Sequence, residues 1–107
     1  MAKIIWTEPA LSDLNEIAEY IALDNFTAAQ KLVRQVFYSV DRLNHFPESG
    51  RTPPELSHSK YREMIIGPCR VFYRYDAGQS KVFIIYVMRG ERMLRKYLIE
   101  ERAKFKI

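Results

Sequence analysis

The hydrophobic period changes once along this chain, and that change limits the folds open to it. As far as residue 43 apolar residues recur every three or four positions, the repeat of a helix buried on one side. From residue 61 to 88 they run instead in short β-branched and aromatic blocks parted by turn residues. Two helices followed by three strands exclude an all-helical bundle and an alternating βαβ sheet, and leave an α+β domain.

Residues 3–6 (KIIW) are apolar and β-branched enough for a short strand. Thr7 and Pro9 then fit the cap and first turn of a helix. Leu11, Leu14, Ile17, Ala18 and Ile21 form its apolar stripe, with Asp13, Glu16 and Glu19 on the other side, and the helix is expected to end near Asp24 and Asn25. Thr27 and Gln30 have the spacing of a capping box, which predicts a second helix through Ala29, Leu32, Val33, Val36, Val40 and Leu43 that stops before Pro47. Two amphipathic helices so closely joined make a hairpin whose stripes need a third element to cover them.

The segment FPESGRTPPELSHSK holds three of the five prolines and is expected to be a surface loop. Strands follow at residues 61–66, 69–75 and 81–88, with turns at Gly67-Pro68 and Asp76-Ala77-Gly78, giving an antiparallel meander. Residues 91–100 return to a helical pattern through Leu94, Tyr97 and Leu98. The tail ERAKFKI is expected to order only against a partner. At 107 residues, all of this fits one domain, residues 1–107.

Charge divides the chain. Residues 1–57 carry five basic and eight acidic side chains, whereas residues 58–107 carry twelve basic and five acidic, so the strands and tail form a positive end suited to an acidic partner. No apolar run is long enough to span a membrane, and the start lacks the pattern of an export signal, so a cytoplasmic location is expected. Cys69 stands alone, which leaves no intrachain disulfide and no cysteine-based zinc cluster. No metal or cofactor is expected.

Side chains alternate along a strand, so Arg70, Phe72 and Arg74 share one side of the middle strand and Val71, Tyr73 and Tyr75 the other. The arginine side is expected to face away from the helices and, with Arg62 and Arg89, to form a basic surface. The planar guanidinium fork binds phosphate or carboxylate by two contacts. Proton transfer most often needs a histidine, and this face has none; His45 and His58 lie at a helix end and in the proline-rich loop. A nuclease here would have to move protons with Tyr97, Tyr73 or a lysine such as Lys60 or Lys96. The residues therefore support binding better than catalysis.

Four stretches together resemble the toxins of the RelE/ParE superfamily from bacterial type II toxin–antitoxin modules. They are WTEPALSDLNEIAEYIALDN, FPESGR at residues 46–51, REMIIGPCRVFYRYD at residues 62–76 and VMRGERML at residues 87–94. The resemblance implies a fold of a short strand, a two-helix hairpin packed on a small antiparallel sheet, and a short C-terminal helix or tail. It also implies a cognate antitoxin that binds the hairpin and the sheet face. RelE-like members are ribosome-dependent mRNA endoribonucleases; ParE-like members share the fold, lack that catalytic set and inhibit DNA gyrase. Arg89 stands where a family histidine is often found, and the long hairpin and FPESGR loop look ParE-like. On that branch the target-binding candidates are Arg51, Arg62, Arg70, Arg74, Arg89 and Arg92, with no catalytic residue. A nuclease would use Arg62, Arg70 and Arg89 on phosphate with Tyr97 as its tyrosine. A third possibility is a degenerate member that binds antitoxin without toxicity.

Overall fold

A computed structural model describes residues 1–90 and 96–104, with the backbone alone for residues 96 and 97. The chain enters as β1 (Lys3–Trp6), forms a hairpin of α1 (Glu8–Ala22) and α2 (Phe26–Asp41), and crosses a loop to β2 (Tyr61–Ile66), β3 (Cys69–Asp76) and β4 (Lys81–Arg89). A final helix, α3, spans Lys96–Ala103. The strands lie in the order β1-β4-β3-β2, the last three antiparallel as expected, with β1 added parallel to β4.

The termini of α1 and α2 follow from side chains that satisfy their first backbone N–H groups. Thr7 caps α1 as expected, accepting from the Ala10 N–H while its own hydroxyl donates to the Ile84 carbonyl at 2.7 Å. For α2 the expected capping box is wrong. Asn25, one residue before the helix, accepts from the Ala28 N–H at 3.0 Å, and Thr27 lies exposed inside the first turn. The helix therefore starts earlier than the Thr27–Gln30 spacing indicates.

One face of the sheet packs on the hairpin. Leu14 and Ile17 of α1 and Leu32, Val36 and Val40 of α2 meet Val71, Tyr73, Val82, Ile84 and Val87 in the main core. Leu11, expected on the buried stripe, is instead 41% exposed, since the stripe runs through Ala10, Leu14 and Ile17.

The opposite sheet face is not left open. Leu56, in a single 3-10 turn of the loop (Pro54–Leu56), and Ile99 of α3 join Tyr61, Phe72, Phe83, Ile85 and Met88 in a second core. The tail expected to order only against a partner thus begins, at residues 101–103, as the last turn of α3. Its Arg102 makes two contacts of 2.9 Å with Asp13 of α1 and donates to the Ile85 carbonyl. Asp13, expected on the solvent side of α1, also accepts from the Val87 N–H at 3.1 Å. Since β1 pairs only with Lys81–Ile84, this ion pair caps the part of β4's edge that has no neighbouring strand. Leu94, on which the C-terminal helical pattern was also based, lies outside the described residues.

The two candidate caps separate cleanly by mutation. Asn25→Ala should cost about 1 kcal/mol, the usual worth of a capping side chain, whereas Thr27→Ala should stay within about 0.5 kcal/mol, both measured by urea denaturation.

Candidate functional site

Sheet register decides where the arginines stand. Across β2 and β3, Glu63 pairs with Phe72 and Arg62 with Tyr73. Glu63 therefore shares the face of Arg70 and Arg74, while Arg62 turns to the helix side. This corrects the expected placement of Arg62. Its guanidinium donates to the carbonyls of Glu48 and Gly50 and lies 3.6 Å from the Glu48 carboxylate, so it fastens the FPESGR loop.

Arg89 is corrected for a different reason. A bulge opposite Phe72 and Tyr73 inserts Ile85 into β4, so Ile85 and Tyr86 both pack with the second core and the alternation slips by one. Met88 consequently joins the arginine face, and Arg89, paired with Cys69, turns to the helix side and lies 5.3 Å over the Tyr20 ring. Arg74 stays on the predicted face, 5.2 Å over Phe83, and its buried Nε has no hydrogen-bond partner among the described residues. Arg92 and the side chain of Tyr97 lie outside the described residues.

The arginine face is organised around a carboxylate. Glu63 is fully buried and accepts from Arg70 Nε at 2.8 Å and from Arg51 Nε at 3.0 Å. Glu55, in the 3-10 turn, meets both terminal nitrogens of Arg70 at 2.7 Å. Hydrogen bonds to Glu55 and then Glu63 raise the Arg70 pKa still further above its ordinary value, against the opposing effect of burial. Among the described residues, two guanidinium groups and two carboxylates thus form one cluster. Arg70 also stacks 5.0 Å over Phe72.

The loop is seated against this cluster by backbone as well. Arg51 and Glu63 exchange backbone hydrogen bonds in an isolated antiparallel bridge. Gly50 N–H donates to the buried Tyr73 hydroxyl at 2.8 Å, and a Cβ there would stand 2.5 Å from that oxygen, so only glycine fits. Burial pushes the Tyr73 phenol upward, against the lowering effect of the Gly50 bond. Tyr73 thus serves as a hydrogen-bond acceptor for the loop from within the main core. His45 and His58 are both exposed.

The sequence reading names neither Glu55 nor Glu63 as a site residue. A signal for Glu63 was present: in YREMII it occupies a position of the face otherwise taken by Tyr61 and Ile65. No comparable signal marks Glu55. Among the described residues no group of His, Cys, Asp and Glu could hold a metal ion.

With the geometry in place, comparison with known proteins identifies the class. Residues 4–94 match the family described as the ParE toxin of the type II toxin-antitoxin system, parDE. The chain is 32% identical over 93 residues to toxin RelE2 of Caulobacter vibrioides, covering 87% of this chain and all of that one. Among solved structures it resembles a chain of the chromosomal ParDE system from P. aeruginosa with a TM-score of 0.69 at 23% identity, over 85% of this chain and 98% of that one. It also resembles the E. coli toxin RelE in the free state, with a TM-score of 0.63 at 16% identity over the whole of both chains. The fold and these matches define a type II toxin of the RelE/ParE superfamily. Within it, this chain belongs to the ParE toxin family.

If Glu63 is the hub of the cluster, removing its charge must leave Arg70 buried and poorly compensated. Glu63→Gln should lower stability by about 3 kcal/mol, read from the urea midpoint, the range found when one partner of a buried pair is lost.

Proposed function

We propose that this toxin acts by protein contact, inhibiting DNA gyrase and so DNA replication, and that a cognate antitoxin neutralises it. The observation that carries the reading is that, among the described residues, the Arg70 guanidinium is already engaged by Glu55 on one side and Glu63 on another. Cleavage of a phosphodiester builds extra negative charge on the phosphate in the transition state, and catalysis needs a pre-set positive field there. Contacts of Glu55 and Glu63 with Arg51 and Arg70 weaken the field those arginines can offer a phosphate. Arg62 and Arg89 stand on the other sheet face, so the three arginines of the nuclease reading do not converge on one phosphate. Arg51, Arg70, Arg74 and Arg89 remain target-contact candidates on this proposal, with Arg62 acting through the loop it holds.

The antitoxin reading rests on the helical hairpin. A groove of about 420 Å³ runs between α1 and α2, floored by Ala18, Ala22, Ala29 and Val33, with Phe26 at its end 65% exposed. An exposed apolar groove of this kind suits the apolar stripe of a partner helix. Solved relatives include the RelBE2 toxin-antitoxin complex of Mycobacterium tuberculosis, with a TM-score of 0.56 at 20% identity, over 82% of this chain and 96% of that one.

Purified toxin added to a gyrase supercoiling assay should abolish supercoiling at near-equimolar ratio while mRNA on translating ribosomes stays intact. Cut mRNA with untouched gyrase would reverse the assignment, and neither effect would mean a degenerate member. Ala18→Arg, which fills the groove with a long cationic side chain, should weaken antitoxin binding at least tenfold and leave growth arrest unrelieved when both proteins are co-expressed.

A further inference from the structure

We infer that Glu55 is an exchangeable occupant of the Arg70 guanidinium, and that an acidic side chain of a protein partner takes its place. The inference rests on the protein-contact reading for the nature of that partner, but the exchange itself is measurable without gyrase or antitoxin.

The two carboxylates on Arg70 are anchored very differently. Glu63 sits within β2, its backbone bridged to Arg51, and its side chain is 0% exposed. Glu55 projects from a three-residue turn in the loop, and its side chain is 23% exposed. Glu63 is therefore the fixed partner and Glu55 the replaceable one. Beside them lies an open concavity of about 520 Å³ lined by Arg51, Pro54, Ile65, Pro68 and Arg70. At its rim the Arg51 side chain is 58% exposed and Ile65 is 56% exposed, a cation and an apolar surface facing the same space.

Charge and shape select a carboxylate as the incoming group. Glu55 presents two oxygens to two parallel N–H donors, and another carboxylate reproduces those bonds without change of geometry. Swapping one carboxylate for another also leaves the charge of the cluster unchanged, so no buried guanidinium is stranded during the exchange. The outward-facing Arg51 supplies the attraction that brings an acidic segment to the concavity.

The test is a titration of the full chain, followed by NMR at the Arg70 Nε–H, with acetyl-tetraglutamate-amide as probe and acetyl-tetraglutamine-amide as control. Tetraglutamate should move the Arg70 signal and should bind Glu55→Gln at least tenfold more tightly than the parent, while tetraglutamine does neither. Equal affinity for the two proteins, or an unmoved Arg70 signal, overturns the exchange. Should Glu55→Gln fail to fold, the parent protein decides: at saturating tetraglutamate the Glu55 carboxyl carbon must shift, and an unshifted signal overturns the proposal. Inorganic phosphate moving the Arg70 signal at lower concentration than tetraglutamate would overturn the carboxylate assignment in favour of a phosphate ligand. A failed titration with gyrase inhibition intact removes only the exchange; a successful titration with gyrase untouched upholds the exchange and removes the target.

Discussion

A single buried carboxylate organises the functional half of this toxin. Glu63 lies buried midway along β2, an outer strand of the sheet, where an isolated charge would be strongly disfavoured by loss of hydration. Arg70 and Arg51 compensate it from two directions, and each ties down a different element. Arg51 brings the FPESGR loop onto the β2 edge, where Gly50 can approach the Tyr73 hydroxyl. Arg70 reaches across to Glu55 and so fixes the 3-10 turn that delivers Leu56 to the second core. Without Glu63, the loop would lose its anchor at Arg51, and Arg70 would keep Glu55 but lose its buried partner.

The same network gives the positive half of the chain its character. Five of the six arginines proposed to form a binding surface lie within the described residues, and they divide between two faces and several partners. One feature that faces outward among the described residues is the rim of Arg51 and Ile65 beside the hydrogen-bonded cluster. Such a surface is suited to recognising a protein, where matched charges and an apolar contact give specificity. The hairpin groove on the far side of the molecule provides a second, apolar surface, so target and antitoxin have distinct chemistries available to them.

Much of the fold was legible in the residues because it depends on local patterns. The change of hydrophobic period separates hairpin from meander, Thr7 marks the start of α1, and Gly67-Pro68 marks the β2–β3 turn. The family resemblance drew on the same stretches. Local patterns misled where two signals competed within a few residues. Asn25 and Thr27 are both good capping residues, and the chain's path out of α1 decides between them. Asp13 has the helical spacing of a solvent-facing residue, but the end of β1 leaves an N–H of β4 within its reach, and Arg102, 89 positions away, completes the contact.

The sequence by itself determined the element order, the hairpin's apolar stripes and the side of β3 that carries Arg70 and Arg74, since each follows from a periodicity of 3.6 or 2 residues acting within one element. Tertiary structure alone decided which arginines meet. One inserted residue in β4 reverses the direction of Arg89, the pairing of Arg62 with Tyr73 sends it to the helix side, and the loop turn at Glu55 closes on Arg70. Register, bulges and loop closure are relations between segments, set by how whole surfaces pack, and no single strand's alternation contains them.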